Sequence, residues 1–374
     1  MISVSPIGDE MARASLEAKG GFLWWYVDLV DERGDGVVVI WSYGLPFLPG
    51  YAEAARRDQA PPAGQRPSLN VAVYRDWELD CYLLQEYEAD EVGWEEEEGR
   101  WRFGESRMFR IGEGRRRRVG VELDCPVPGA DERLVGTIEA EGVGLADGVG
   151  QQNDGVGEAH RWAPVAVGGR GRMDLRFGSE RYRAEGRAYH DSNAGTVPLH
   201  DLGIRQWIWG RVPLHDRELI YYALWSDEDR REASERFILD VAGDGEVRRI
   251  EGPRVELEGM RVNIGGIRWW KRARLTPPAD SGLPVLEVDH RGVVDSGPFY
   301  MRYMTDVRAG AQRSVGFSEL IRPHRVDMDR HRFFVQMRVD DRAARRPNSS
   351  WLPLFTGPKR GRFQRLVRYN LNLT

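Results

Sequence analysis

Short runs of β-favouring residues, separated by turn-forming residues at intervals of about ten positions, dominate the second half of this chain. The clearest runs are Gln206–Val212, Glu218–Trp225, Arg236–Val241 and Glu246–Ile250. The segments between them are rich in Pro, Asp and Gly, which favour tight turns. This succession predicts an up-and-down β-meander, typical of a lipocalin-type barrel or a β-sandwich.

The first half of the chain shows a similar pattern. Phe22–Val30 and Gly36–Tyr43 flank an Asp- and Gly-rich turn and predict a β-hairpin. Ala52–Arg57 predicts a short helix, and Arg332–Val339 predicts a late strand. A length of 374 residues suits two domains.

We therefore predict an all-β protein of two lipocalin-like β-barrel or β-sandwich domains packed together. Residues 1–204 form an N-terminal β-sandwich domain that carries the candidate catalytic motifs, and residues 205–374 form a C-terminal lipocalin-like barrel.

Composition excludes several classes of function. With 59 acidic and 54 basic residues the net charge is −5, which argues against a nucleic-acid-binding surface. We find no apolar run of about 18 residues, no signal-peptide pattern, no nucleotide-binding motif and no histidine spacing typical of a metal site. Cys81 and Cys125 are too few for a disulfide framework. We expect a cytoplasmic protein without a metal site.

Two segments combine titratable and aromatic residues: one begins at His160, and the other contains Tyr189 and Asp191. Side chains alternate along a strand, so His160 and Trp162 share one face. Likewise Tyr189, Asp191 and Asn193 share a face, and His190 points to the opposite side.

An aspartate held among aromatic residues can act as a general acid. Burial raises the pKa of Asp191 and keeps it protonated near neutral pH. The face of Trp162 can stabilise a cation beside it. The alternative interpretation is a strand end at which these polar side chains merely satisfy one another.

Several blocks of this sequence, in the same order, resemble the carotenoid 1,2-hydratases, also called hydroxyneurosporene synthases. They belong to a wider group of two-domain lipocalin-like hydratases and Diels–Alderases. The blocks are Gly21–Asp28, Gly44 with Pro46–Tyr51, Pro67–Tyr74, His160–Ala166, Tyr189–Asn193 with Gly195 and Pro198–Leu199, and Trp207–Arg211.

The resemblance implies cofactor-independent addition of water to the terminal C1=C2 double bond of an acyclic carotenoid such as lycopene or neurosporene. Asp191 would protonate the alkene, and Trp162 and Tyr189 would stabilise the resulting tertiary carbocation. His160 would position the acid or help to deliver water. The expected substrate-binding residues are Trp24, Trp25, Arg161, Asn193, Trp207 and Trp209.

Two other functions stay open, and departures from the family pattern favour the first of them. Ala163, Thr196 and Val197 stand where the hydratases often carry aromatic or acidic residues. The pocket predicted around Asp191 could therefore belong to a cyclase or Diels–Alderase acting on a polyene natural product. It could also belong to a non-catalytic carrier of a lipophilic ligand.

A hydrophobic polyene or isoprenoid substrate resides in membranes, so we also expect peripheral contact with a membrane surface. The apolar, proline-bounded loop Pro46–Tyr51 is the candidate contact. The alternative is an ordinary hydrophobic loop packed on the barrel.

Overall fold

The computed structural model describes residues 2–4, 13–44, 47–48, 50–95, 99–113, 115–145, 160–227 and 232–359. Its β-strands run in long antiparallel succession. The strands up to residue 195 are β1 (Ser3–Val4), β2 (Phe22–Val30), β3 (Gly36–Tyr43), β4 (Pro67–Arg75), β5 (Glu78–Glu86), β6 (Val92–Glu95), β7 (Arg100–Phe103), β8 (Ser106–Glu113), β9 (Arg116–Pro126), β10 (Arg133–Val143), β11 (Arg161–Phe177) and β12 (Glu180–Gly195).

The later strands are β13 (Gln206–Pro213), β14 (Arg217–Trp225), β15 (Glu235–Ala242), β16 (Val247–Glu251), β17 (Arg254–Val262), β18 (Arg268–Thr276), β19 (Leu286–Ser296), β20 (Tyr300–Ala309), β21 (Gln312–Ile321), β22 (Asp340–Asp341) and β23 (Gly357–Pro358). The α-helices of the described residues are α1 (Arg13–Glu17), α2 (Tyr51–Arg56), α3 (Asp329–Gln336) and α4 (Leu352–Phe355).

These strands form two large sheets in the described part of the chain. The first has the order β22-β5-β4-β3-β2-β12-β11-β10-β9-β8-β7-β6, with β1 beside β11 and β23 beside β5. The second has the order β16-β15-β14-β13-β21-β20-β19-β18-β17. The prediction of an all-β, lipocalin-like protein is confirmed. The proposed domain division after residue 204 stays a prediction, and β22 and β23 return to the first sheet.

Each sheet contributes residues to a core of its own, and a third core lies where the sheets meet. Strand β2 shows how the cores are separated, because both of its faces are buried. Trp25 and Val27 pack into the core of the first sheet, whereas Phe22 and Tyr26 pack into the core between the sheets. Two of the candidate catalytic residues, Trp162 and Tyr189, belong to this third core, so the contact between the sheets helps to position the site.

The predicted hairpin is confirmed, since β2 and β3 have the expected bounds. The strand predicted over Arg332–Val339 is wrong: helix α3 covers most of it. His331 and Val335 are four positions apart and bury the same side of that helix. The apolar residues of so short a segment fit both periodicities, and packing decides between them.

Candidate functional site

Asp191 lies in β12 at the centre of the polar cluster between the two sheets. The indole N–H of Trp162 donates to its Oδ2 at 2.8 Å, and the hydroxyl of Tyr189 donates to the same oxygen at 2.9 Å. The amide Nδ2 of Asn193 lies 3.2 Å from Oδ1. Asp191 is only 4% exposed. The two main donors use one oxygen, so the other is where the carboxyl group can carry its proton.

His160 extends this cluster through Asn193. Its Nε2 lies 3.0 Å from Oδ1 of Asn193. Because the amide nitrogen of Asn193 faces Asp191, its oxygen faces the histidine and accepts a hydrogen bond from Nε2–H. The interaction fixes the imidazole tautomer and the orientation of the amide together.

The protonation states of Asp191 and His160 follow from burial. Burial raises the pKa of Asp191 to about 8, although the hydrogen bonds from Trp162 and Tyr189 act in the opposite direction. Burial lowers the pKa of His160 to about 4, against the effect of its bond to Asn193. At neutral pH the cluster therefore consists of a carboxylic acid and a neutral imidazole.

Aromatic rings from both sheets enclose the acid. Trp162 meets Tyr222 of the second sheet edge to face, with ring centroids 4.9 Å apart. The ring of Trp209 lies 5.7 Å from that of Tyr189 and 5.6 Å from that of Tyr26. These faces are the electron-rich surfaces that stabilise a cation in a desolvated site.

A cavity of about 950 Å³, its opening to solvent included, lies beside this cluster between the sheets. Its lining is largely apolar and aromatic, and three of the lining residues, Trp24, Tyr26 and Trp207, contact or pair with residues of the Asp191 cluster. The ring centroid of Trp207 is 6.3 Å from that of His160. Asp191 is not among the described residues that line this cavity, and Tyr26 and Trp207 connect the two regions.

The structure brings together most of the residues predicted for the site. His160, Trp162, Tyr189, Asp191 and Asn193 form one hydrogen-bonded cluster. The prediction that His190 points away from Asp191 is also confirmed, because its Nδ1 lies 2.9 Å from the carbonyl oxygen of Tyr26 and makes no hydrogen bond to Asp191.

Of the six predicted substrate-binding residues, Asn193 belongs to the Asp191 cluster, and the other five divide by position. Trp24 and Trp207 line the cavity, and Trp209 packs between the cavity and the acid. The structure brings neither Trp25 nor Arg161 to the cavity or to the Asp191 cluster. Trp25 packs on Trp101 in the core of the first sheet, with ring centroids 5.0 Å apart. The side chain of Arg161 lies on the face of β11 opposite to that of Trp162.

The loop predicted to touch a membrane is described only in part, because Pro46 and Pro49 lie outside the described residues. Phe47 stacks on Phe299 at 5.7 Å and lines the cavity, and Leu48 is buried. The described part of the loop is thus a wall of the cavity.

Sequence reasoning missed the polar residues that the second sheet contributes. Tyr300 donates to Oε1 of Glu319 at 2.5 Å, and Nε of Arg302 donates to the same oxygen at 2.9 Å. Arg302 also donates to the hydroxyl of Tyr74 at 2.9 Å. The signal available was a charged residue at an inward position in β20 and another in β21, which is unusual for buried strands.

In the described ranges, no group of three or more His, Cys, Asp or Glu side chains could hold a metal ion. No helix of the described chain is long and apolar enough to cross a membrane.

Comparison with known proteins places this architecture in a family. The sequence model of the family described as "Carotenoid hydratase CrtC" matches residues 39–348. The acyclic carotenoid 1,2-hydratase of Rubrivivax gelatinosus is 32% identical over 78% of this chain, and the match spans 66% of the relative's own length. The hydroxyneurosporene dehydrogenase of Chlorobaculum tepidum is 28% identical over 87% of this chain and 88% of its own.

Among solved structures, a putative AttH from Nitrosomonas europaea superposes with a TM-score of 0.56 at 14% identity. The superposition covers 80% of this chain and 92% of that one, and it supports the fold. The family match covers most of the chain, including both segments that form the Asp191 cluster. It confirms the resemblance seen in the sequence, and the predicted hydratase type is the one given by the family's description and by the name of the Rubrivivax gelatinosus relative. This chain belongs to the carotenoid hydratase family CrtC.

Proposed function

We propose that this protein hydrates the terminal C1=C2 double bond of an acyclic carotenoid of the lycopene or neurosporene type, without a cofactor. The observation that carries the proposal is the buried Asp191, which accepts hydrogen bonds from Trp162 and Tyr189 under aromatic rings in a chain of the carotenoid hydratase family. An alkene is a weak base, and its protonation needs an uncharged acid in a site that excludes water.

The first step transfers the proton of Asp191 to C2 of the alkene and leaves a tertiary cation at C1. The hydrogen bonds from Trp162 and Tyr189 strengthen as the carboxyl group becomes a carboxylate. They therefore stabilise the transition state more than the ground state, which is the condition for catalysis. The faces of Trp162 and Tyr189 stabilise the cation, and His160 with Asn193 holds the acid in place.

The cavity beside Tyr26 and Trp207 accepts the end of the polyene in this proposal. Two exposed apolar side chains adjoin, along the chain, residues at or near the cavity wall, and we propose that they contact a lipid surface. Phe333, next to the cavity-lining Phe334, is 54% exposed, and Ile264 is 65% exposed. Gly265, which follows Ile264, approaches the cavity residue Pro298 closely. Exposed apolar residues grouped at one opening favour insertion at a membrane surface.

Co-sedimentation with phospholipid vesicles tests this contact. We expect Phe333→Ser with Ile264→Ser to lower the bound fraction. Ile111→Ser is the matched control, because Ile111 is 55% exposed on β8 and does not line this cavity. Equal binding by the double variant and the Ile111→Ser control would argue against Phe333 and Ile264 as the membrane contact.

The activity is tested by incubating the purified protein with lycopene or neurosporene in detergent micelles and measuring product masses. Hydration adds the mass of one water, whereas a cyclase would give an isomer and a carrier would return the substrate unchanged. Formation of the tertiary alcohol supports the proposal. Unchanged substrate, under conditions in which a reference hydratase is active, overturns it.

A further inference from the structure

A second carboxyl group, that of Glu319, faces the cavity from the second sheet, whereas Asp191 belongs to the first sheet. In the first sheet Asp191 is paired in register with Tyr26, and in the second sheet Glu319 is paired with Trp209. The rings of Tyr26 and Trp209 meet edge to face with centroids 5.6 Å apart. Glu319 therefore lies across the Tyr26–Trp209 contact from Asp191, and its side chain, like that of Tyr26, lines the cavity.

Glu319 is held firmly by one of its two oxygens. Tyr300 and Arg302 both donate to Oε1, at 2.5 and 2.9 Å. Among the described residues no donor reaches Oε2, while the side chain lines the cavity and is 13% exposed. Glu319 therefore offers an accepting oxygen to a small molecule in the cavity, and the ion pair with Arg302 fixes its orientation.

We infer that Glu319 is the general base that takes the proton from the attacking water; this inference rests on the proposed hydration. The oxygen of water bonds to C1 of the cation as one O–H bond breaks and its proton passes to Oε2 of Glu319. Asp191 has by then given its own proton to C2. The cycle closes when Glu319 releases a proton to solvent and Asp191 takes one up, so the net change is the addition of one water.

The basicity required for this step is modest. Water that bonds to a carbocation becomes a strong acid, so a carboxylate paired with an arginine is a sufficient acceptor. His160 lies on the Asp191 side of the site, where its Nε2 is engaged by Asn193, and it does not line the cavity that Glu319 faces.

The other buried carboxylates of this region are less well placed. Asp28 and Glu218 are both bound to Arg211 and have fully buried side chains that do not line the cavity. Asp295 lines the cavity but pairs with Arg338 at 2.8 Å, two strands farther along the second sheet than Glu319.

The test separates protonation of the alkene from capture of the cation. Wild type, Glu319→Gln and Asp191→Asn are incubated with lycopene in D₂O, and both the alcohol and the deuterium in recovered lycopene are measured. If Glu319 is the base, Glu319→Gln forms the cation but captures water poorly. The cation then returns to an alkene by losing the C2 protium or a proton of a C1 methyl group to the Asp191 carboxylate, and the deuterium that Asp191 delivered stays at C2. We expect the ratio of alcohol to deuterated alkene to fall about a hundredfold.

Asp191→Asn is expected to lose both products. The ratio is measured within each sample, so it does not depend on the fraction of protein that is folded. Glu319→Asp is the second variant, and its shorter carboxylate is expected to give an intermediate ratio. Glu86→Gln is the matched control, because Glu86 is also a buried partner of arginines but lies outside the chamber, and it should keep the wild-type ratio.

A wild-type ratio in Glu319→Gln, with alcohol still formed, overturns the inference and leaves the proposed function standing. Loss of deuterium exchange together with hydration in folded Glu319→Gln also overturns it, since a base for water is not needed to protonate the alkene. Absence of alcohol with the wild-type protein instead overturns the proposed function and the inference with it.

Discussion

Two buried carboxyl clusters lie side by side between the sheets, and they differ in whether a cation is present. Asp191 receives hydrogen bonds from neutral donors alone among the described residues. Asp28 and Glu218 instead share the guanidinium of Arg211, which lies 2.9 Å from Glu218 and also binds Asp28 through two nitrogens. The clusters are neighbours, because the Arg211 guanidinium lies over the ring of Tyr189 at 5.8 Å.

This difference produces two protonation states at similar burial. Burial raises the pKa of Asp28 only to about 6, because Arg211 opposes it. Burial raises the pKa of Asp191 to about 8, since neutral donors oppose it less effectively. At pH 7 one cluster is an ionic anchor that joins the sheets, and the other is an uncharged acid. The following variants test that distinction.

Asp191→Asn should have the largest effect on catalysis. It removes the transferable proton while keeping the size of the side chain, so we expect hydration to fall by about 10²–10⁴-fold with little change in the folded state. Asp28→Asn is the matched variant in the ionic cluster and should keep activity per folded molecule within about tenfold. Initial rates together with circular dichroism check both. Equal losses of activity would show that the clusters do not differ in role.

Arg211→Met should have the largest effect on stability. It leaves Asp28 and Glu218 buried without their cation, which costs about 3–5 kcal/mol of unfolding free energy. Denaturant titration measures this loss. The triple variant Asp28→Asn, Glu218→Gln, Arg211→Met contains no buried charge in this cluster and should recover most of the stability. A loss below about 1 kcal/mol in Arg211→Met would mean that the ion pairs of Arg211 with Asp28 and Glu218 contribute no more to stability than surface ion pairs do.

The pH dependence of the rate identifies which cluster contains the acid. A general acid works in its protonated form, so kcat/KM should fall above about pH 8, the pKa of Asp191. The decrease should be about tenfold for each further pH unit. If the acid were Asp28, the decrease would begin near pH 6. A rate that rises through pH 8 would contradict protonation by either residue.

The same comparison shows what the sequence could and could not predict. Alternation along β12 correctly grouped Tyr189, Asp191 and Asn193, because strand periodicity is local. Alternation could not tell Trp24 from Trp25, since both faces of β2 are buried and only pairing with distant strands decides which face meets the chamber. Glu319 could not be predicted for the same reason: its position opposite the acid arises from contact between two sheets, which no local pattern encodes.

Tyr189→Phe should produce the smallest and most specific change. It removes one donor to Oδ2 of Asp191 but keeps the ring against Trp209. That donor lowers the pKa of Asp191, so its loss should move the decrease in rate upward by about one pH unit. The rate at pH 7 should fall about tenfold, because the developing carboxylate is less stabilised. Tyr222→Phe removes a hydroxyl from the same chamber that gives Asp191 no hydrogen bond, and it should leave the pH of the decrease unchanged. A downward shift in Tyr189→Phe would show that Tyr189 stabilises the protonated acid, and the proposed stabilisation of the carboxylate would then be wrong.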